Sequence, residues 1–262
     1  MTDEIARVAA FYDIHGNLPA LEAALADAEA TDVELFVLGG DLALGPMPRE
    51  TLDRLIALGP RARYVRGNCD RLMVDAFDGR SLASLPSAVQ ESIAWAAGQL
   101  DEHHRDFLAG LPETLTTNID GLGAVLFCHA TPRSDDEIVT TRTSDERLGP
   151  ILEHVTQAAV VCGHTHMQFH RRLGKLDLVN AGSVGMPYGG TGAHWLLLGP
   201  QIELRRTAYD GAGAAARIGR TCYPGAAEFA ALYIVNSPSE EEMLTLFEAA
   251  PPSRQPASDR AT

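Results

Sequence analysis

Short apolar runs alternate with segments of helical spacing through the first quarter of the chain. The runs at residues 5–12, 35–38 and 63–65 predict three strands, since each is short and is soon followed by glycine. Residues 18–29 and 48–58 carry apolar side chains at helical spacing, which predicts a helix after each of the first two strands. Strands that alternate with helices in this way predict an α/β sheet whose ligands bind beyond the carboxyl ends of the strands.

The pattern changes after about residue 80. Residues 82–111 look helical throughout, with a continuous helix expected from 87 to 108. Beyond them, apolar runs predict a short helix over 144–154 and strands at 124–128, 160–162, 167–172, 176–179, 193–198 and 202–207. The hairpins among these runs favour a mainly antiparallel sheet in the second half of the chain.

The C-terminal part has separate signals. A weak, alanine-rich helix is expected over residues 211–220, and Ser237-Pro238-Ser239-Glu240 forms a capping-box pattern that predicts a helix to about residue 250. Few of the following side chains are able to bury. We therefore expect one domain over residues 1–210, a C-terminal helical extension over 211–250 and a disordered tail over 251–262.

Composition and charge restrict the partners of the protein. The 262 residues are 45% hydrophobic and 21% charged, as is ordinary for a globular protein. A formal net charge of -14 disfavours nucleic acid and anionic membranes, so an anionic substrate needs local positive charge such as metal ions supply. The four cysteines form no CxxC pair and no signal peptide is evident, which predicts reduced thiols and a cytoplasmic location.

Polar side chains of a few types follow the predicted strands. They are two carboxylates, one amide and four imidazoles, namely Asp13, His15, Asp41, Asn68, His129, His164 and His166. This mixture of nitrogen and oxygen donors suits Mn, Fe, Co, Ni or Zn better than Ca or Mg. Seven ligands are too many for one tetrahedral ion but fit two ions that share a bridging carboxylate. The alternative, separate histidines buried in the core, would require a coincidence at five strand ends.

These side chains stand in five short motifs. In chain order the motifs are Asp13-x-His15, Gly40-Asp41, Gly67-Asn68-x-Asp70, His129 and Gly163-His164-x-His166. They resemble the five motifs of the calcineurin-like metallophosphoesterases, over about residues 5–207. The resemblance implies a four-layer α/β/β/α sandwich of two mixed sheets with a dinuclear site along one edge. It also implies one metal on Asp13, His15 and His166, a second on Asn68, His129 and His164, and Asp41 as the bridge.

The resemblance indicates a hydrolase of phosphodiester or phosphoanhydride bonds that uses metal-bound hydroxide, with two divalent ions of which manganese is the leading choice. The amino-acid sequences of the motifs most resemble those of the small bacterial phosphodiesterases and the diadenosine-tetraphosphate hydrolases. Asp41, Asn68 and His129 form the expected catalytic set, and the substrate is expected to be a nucleotide or another phosphorylated small molecule. Alternatives are a phosphomonoesterase or protein phosphatase and, from another class, a non-catalytic scaffold of the same fold. A nuclease is disfavoured by the acidic charge, and a homo-oligomer is left open.

One position departs from the family pattern. Many members carry a histidine that helps to protonate the leaving oxygen, and here that position is Cys69. A thiol is a poor proton donor for this task, and loss of a general acid lowers a rate by about 10²–10⁴-fold. We therefore expect a leaving group that needs little protonation. His103 or His104 would replace the acid only if the helical segment folds over the site.

Asn68 is also expected to contact the substrate, and three further residues are candidates for the same role. Asn17 is expected either to hold its loop or to touch phosphate. Arg133 is the best placed basic residue for a second phosphate, because a guanidinium binds phosphate with two parallel hydrogen bonds. Tyr188 follows the turn at residues 180–185, from where its ring would stack on a base.

Overall fold

The computed structural model describes residues 4–249. In chain order, strands β1 to β10 span Val8–Phe11, Leu35–Leu38, Ala62–Tyr64, Thr114–Ile119, Gly123–Cys128, Ala159–Cys162, Gln168–Leu173, Leu176–Ala181, Ala193–Leu198 and Ile202–Thr207. Helices α1 to α9 span Leu18–Glu29, Pro48–Ile56, Asn68–Phe77, Ser87–Gly98, Glu102–Ala109, Asp145–Leu152, Gly211–Ile218, Ala226–Phe229 and Glu240–Ala249. A 3-10 turn covers Gly59–Arg61 and a π-helix covers Ala230–Val235.

The strands form two mixed five-stranded sheets. The first has the order β10-β9-β1-β2-β3, with β1, β2 and β3 parallel and β9 antiparallel to both of its neighbours. The second has the order β4-β5-β6-β8-β7, with β5, β6 and β8 parallel between two antiparallel edge strands. Parallel strands end at the same edge of their sheet, so each sheet collects its strand-end loops on one side.

The two sheets pack face to face and helices cover both outer faces. Along β1, Val8 and Ala10 pack between the sheets, while Ala9 and Phe11 point outward to the layer of α1, as the two-residue period of a strand requires. The outer face of the second sheet is covered by α6 through Leu148 and other apolar side chains. The structure therefore confirms the expected four-layer α/β/β/α sandwich.

Two expectations about the secondary structure were wrong: the strand pairing of the second sheet and the continuity of one helix. The second sheet is not mainly antiparallel, because α6 connects β5 to β6 and these two strands pair in parallel. In addition, β9 and β10 belong to the first sheet, where β9 pairs with β1. The helix expected from 87 to 108 is broken at residues 99–101. There the Asp101 carboxylate accepts the backbone N–H of His104 and begins a new helix, α5.

The C-terminal segment packs on the sandwich. Ala214 of α7 and Ile234 of the π-helix belong to the same apolar cluster as the residues of α1. The last helix begins at Glu240, where Ser239 and Glu242 form the reciprocal capping bonds, so the expected cap at Ser237 was two residues too early. The predicted tail over 251–262 lies outside the described residues. No helix among residues 4–249 is both long and apolar enough to cross a membrane.

Candidate metal centre

The loops that follow β1, β2, β3, β5 and β6 bring the motif residues to one edge of the sandwich. Backbone hydrogen bonds join these loops directly: the N–H of Asp13 donates to Gly40 (3.1 Å), that of His15 to Asp41 (3.0 Å) and that of Gly163 to His129 (2.8 Å). The first two bonds join loops of the first sheet, and the third joins loops of the second sheet. The two sheets are linked at this edge by the N–H of Gly185, in the loop after β8, which donates to the carbonyl of Asp13 (3.0 Å). All seven predicted ligands lie in this region.

A first cluster consists of Asp13, His15 and His166. The Nδ1 atoms of His15 and His166 lie 3.2 and 2.8 Å from the carbonyl oxygens of Leu44 and Met186, so each must donate its proton there. The two Nε2 atoms are then bare acceptors, 3.2 Å apart. Asp13 Oδ1 lies 3.3 Å from His166 Nε2 and 3.8 Å from His15 Nε2, and it is buried without a hydrogen-bond partner. Three acceptors converge here with no donor among them.

A second cluster of possible ligand atoms surrounds the carboxylate of Asp41. His129 donates Nδ1–H to the carbonyl of Gly39 (2.8 Å), and its Nε2 lies 3.1 Å from Asn68 Oδ1 and 3.4 Å from Asp41 Oδ2. A ring nitrogen of His164 lies within 4.8 Å of ligand atoms of His129 and Asp41. Asp41 Oδ2 is also 3.7 Å from His15 Nε2, so this one oxygen lies between the two clusters.

These clusters fit divalent cations. A histidine that ligates a metal commonly donates its other N–H to a carbonyl, as three of the four imidazoles do here. Although burial opposes ionisation, the imidazole of His166 lowers the pKa of Asp13 and that of His129 lowers the pKa of Asp41, so both carboxylates are held ionised. Burial lowers the pKa of His164 to about 4, which keeps this ring neutral and able to ligate.

His129 is the exception among the imidazoles. Burial opposes its protonation, but the carboxylate of Asp41 outweighs that effect and raises the pKa of His129 to about 10. A proton would therefore compete with a cation for its Nε2 atom, and binding of a cation there would release that proton.

Each carboxylate in the centre is fixed by one of its oxygens. Asp13 Oδ2 accepts the backbone N–H of His164 and Asp41 Oδ1 accepts that of Cys69, both at 2.8 Å, which leaves the other oxygen facing the ligand cluster. Asp70 lies beneath them and accepts the backbone N–H groups of Asp41, Leu42 and Gly67 at 2.9 Å. The sequence indicates Asp70 only as part of the Gly67-Asn68-x-Asp70 motif. The structure gives it a positioning role between the loops after β2 and β3.

The ligand-bearing loops have an unusual backbone. Six non-glycine residues with positive φ occur within residues 4–249, and five of them are predicted ligands: Asp13, His15, Asp41, His164 and His166, with φ between 50° and 65°. This left-handed conformation costs an L-residue about 1–2 kcal/mol. Such local cost is typical of functional sites where the surrounding structure imposes the geometry.

The secondary candidates lie in different surroundings. Asn17 is wholly buried, where its amide donates to the carbonyl of Gly185 (2.9 Å) and its oxygen accepts the Ala20 N–H, so it holds its loop. Tyr188 is 8% exposed and stacks on His166 with ring centroids 5.1 Å apart. The expectation that its ring stacks on a base was wrong, because the ring packs against the ligand itself.

The two histidines of the helical segment supply no acid here. Both ring nitrogens of His104 are occupied by carboxylates, Nδ1 by Asp101 and Nε2 by Asp53, and its side chain is buried. Its neighbour His103 is exposed. The Cys69 sulfur, in contrast, belongs to the centre, within 4.8 Å of ligand atoms of His15 and Asp41.

A cleft of about 320 Å³, lined by three arginines and three acids, adjoins His129. Its three arginines each pair with an acid: Arg66 with Glu113, Arg71 with Asp135 and Arg133 with Glu137. Two nitrogens of Arg133 already lie on the Glu137 carboxylate, at 3.0 and 2.6 Å. Phosphate binding by Arg133 stays a prediction, and it requires the guanidinium to exchange Glu137 for the phosphate.

The sandwich and its acceptor clusters together define a metal-dependent hydrolase. Residues 7–200 match the family model of the calcineurin-like phosphoesterase superfamily domain, and the chain belongs to this superfamily. It is therefore a phosphoric ester hydrolase that binds metal ions.

Similar proteins come from archaea and bacteria. The uncharacterized protein MJ0912 of Methanocaldococcus jannaschii is 26% identical over 223 residues, which are 78% of this chain and 88% of the relative. The hypothetical protein PH1004 of Pyrococcus horikoshii shares the fold with a TM-score of 0.75 and 20% identity, over 89% of this chain and 99% of that one. A metallophosphoesterase from Sphaerobacter thermophilus has a TM-score of 0.68 and 25% identity, over 87% and 99% of the two chains.

Proposed function

We propose that this protein hydrolyses phosphodiester or phosphoanhydride bonds of a nucleotide or similar small molecule at a pair of divalent ions, with manganese as the leading choice. The observation that carries the proposal is the position of Asp41 Oδ2 between the two acceptor clusters, 3.7 Å from His15 and 3.4 Å from His129. A shared carboxylate of this kind suits two neighbouring cations. When bound, such a pair lowers the pKa of a water molecule and neutralises charge on the phosphoryl oxygens.

The exposure of the ligands gives the direction of substrate approach. Asp13, His15, Asp41, His129 and His166 are buried, whereas Asn68 and His164 are half-buried. The phosphoryl group therefore approaches on the side of Asn68 and His164. There the amide of Asn68 is placed to stabilise charge on a non-bridging oxygen, and His129 stands directly behind it at 3.1 Å.

The residue at the acid position favours good leaving groups. Burial raises the pKa of the Cys69 thiol well above its ordinary value, and the carboxylate of Asp41 raises it further. Such a thiol is a weak proton donor, so the preferred leaving group is a nucleotide phosphate or an aryl alcohol rather than a simple alkyl alcohol. Rates for diesters with a graded series of leaving-group pKa values test this point. A flat dependence contradicts it.

Hydrolysis of bis(p-nitrophenyl) phosphate with added Mn²⁺ tests the proposal as a whole. Asp41→Asn removes the shared negative charge and is expected to abolish the activity. Asp120→Asn is the matched control, since Asp120 is exposed in the turn between β4 and β5. Wild-type activity in the Asp41→Asn protein would refute the proposal. A metal-loaded wild type that hydrolyses no phosphoester of a broad panel would favour the non-catalytic scaffold.

A further inference from the structure

An apolar cleft of about 360 Å³ opens beside the metal centre at His15. One wall is α4, which contributes Val89, and the other is the C-terminal segment, which contributes Tyr223, Leu232 and Tyr233. These C-terminal residues lie beyond residues 7–200, the part of the chain that matches the superfamily. The cleft is thus built by the C-terminal segment and α4, with the C-terminal wall outside the part of the chain that the family model matches.

We propose that this cleft binds the aromatic group of the substrate, a nucleobase or an aryl ring, while the attached phosphate lies at the metal centre. The inference rests on the proposed function and adds the place where the rest of the substrate lies. His15 is a predicted metal ligand and also lines the cleft, so the metal centre and the cleft are continuous. One molecule of ordinary nucleotide size is therefore able to occupy both.

The charges around the centre support an apolar occupant on this side. Among residues 4–249, the charged side chain that lines the cleft, apart from His15, is Glu228, and no lysine or arginine of that range lines it. A second phosphate would therefore meet only negative charge here. The three arginines lie in the other cleft, beside His129. The substrate is accordingly expected to point its anionic part toward His129 and its aromatic part toward His15.

The walls have the chemistry of a stacking site. Tyr223 packs edge-on against Trp95 with ring centroids 5.4 Å apart, and Phe229 packs against Tyr223 and Tyr233 at 6.0 and 5.3 Å. This chain of rings makes one wall rigid. At the mouth, Val89 is 39% exposed and Leu232 is 40% exposed, so apolar surface is available for a ligand to cover.

Leu232 and Tyr233 are presented by the π-helix Ala230–Val235. A π-helical turn inside an otherwise α-helical segment is rare and is frequently found at functional sites. Its presence in the wall of this cleft is a second observation, independent of the apolar lining, that points to a ligand.

Binding of AMP and ribose 5-phosphate to the Mn²⁺-loaded protein, measured by calorimetry, tests the inference. The two ligands share the sugar and the phosphate and differ only in the base. Stacking of one base on aromatic walls is expected to make AMP bind about tenfold more tightly. Equal affinity of the two ligands for the wild-type protein overturns the inference.

Two variants locate the effect. Leu232→Gln and, on the opposite wall, Val89→Gln replace exposed apolar contacts without adding charge, and each is expected to reduce the AMP preference about threefold or more. Val235→Gln is the matched control: it lies on the same π-helix, is 55% exposed and lines a different cleft. An AMP preference unchanged in both Leu232→Gln and Val89→Gln contradicts the placement.

The two proposals fail separately. If the wild-type protein hydrolyses diesters but shows no AMP preference, the cleft inference is wrong and the hydrolase proposal stands. If AMP is preferred and the preference depends on Leu232, while no ester or anhydride is hydrolysed, the proposed function fails and the aromatic site stands.

Discussion

Replacement of Gly163 by alanine tests whether the backbone itself places the carboxylate of Asp13. A Cβ atom added at Gly163 would lie 2.4 Å from Asp13 Oδ2 and 2.6 Å from Cδ1 of Tyr12. Tyr12 is fully buried and cannot withdraw, because its hydroxyl donates to the carbonyl of Val161. The Asp13 carboxylate must therefore move, and with it the hydrogen bond that its Oδ2 accepts from the His164 N–H.

The size of the displacement sets the expected effect. Ordinary contact begins at 3.4 Å, so Asp13 Oδ2 has to move by about 1 Å from its 2.4 Å position. Catalytic groups tolerate about 0.5 Å, and a displacement of 1 Å lowers a rate by about 10²-fold. Overpacking of this kind also lowers the free energy of unfolding by about 1–3 kcal/mol.

The assay combines Mn²⁺ titration calorimetry, hydrolysis of bis(p-nitrophenyl) phosphate and thermal unfolding. Gly149→Ala is the matched control, because a Cβ atom at Gly149, within α6, meets no atom within 4 Å. The control is expected to keep wild-type metal affinity and activity, with unfolding free energy unchanged or raised by up to about 1 kcal/mol. A folded Gly163→Ala protein with wild-type metal affinity and rate would refute the argument that close approach fixes Asp13.

Three further changes test the surroundings of the centre. Asp70→Asn leaves at least one of three backbone N–H groups without an acceptor, so the free energy of unfolding should fall by about 2–4 kcal/mol; an unchanged denaturant midpoint contradicts this role. Tyr188→Leu removes the ring stacked on His166 and should weaken Mn²⁺ binding about tenfold in calorimetry, whereas Tyr188→Phe should not, and equal affinities would show that the stacking is unimportant. Burial and, to a smaller extent, the charge of Arg206 lower the pKa of His194 from 6.5 to about 4. The free energy of unfolding should therefore fall by about 3 kcal/mol as the pH is lowered from 6.5 to 4, because the unfolded chain binds a proton there that the folded protein does not. In His194→Leu this pH-dependent fall in the free energy of unfolding, measured by urea denaturation, should be smaller. A pH profile identical to that of the wild type would rule out His194 as the cause.

The predicted ligands could be found from the sequence because they follow short apolar runs that predict strands. The alternation of short apolar runs with helical segments was sufficient to predict an α/β sheet with its ligands beyond the strand ends, whereas the four-layer sandwich was implied by the resemblance to the calcineurin-like metallophosphoesterases. Pairing within the second half was harder to predict. Strand β9 is buried at every position, so its residues carry no alternation that would assign it to one sheet rather than the other.

The fine geometry of the centre has no signal in residue type. The groups that orient His15, His129 and His166 are backbone carbonyls, which every residue possesses. The apolar cleft was also invisible in the sequence, because its walls come from segments more than 130 residues apart, around Val89 and Leu232. Helical periodicity places such residues on a helix face but does not indicate which distant helix they meet.

Hydrogen bonds within the protein hold the strained backbone of the predicted ligands. The loop after β1 is held by Ser183, whose hydroxyl donates to the carbonyl of Asp13 and accepts the N–H of Met186, both at 2.7 Å. The loop after β2 is held by Asp70, and that after β6 by Asn180, which donates to the carbonyl of Gly163. Because these bonds lie within the protein itself, they hold the loops in the positive φ conformation and keep the acceptor atoms close together. A cation would therefore bind to loops that folding has already ordered, and little further ordering cost is expected on binding.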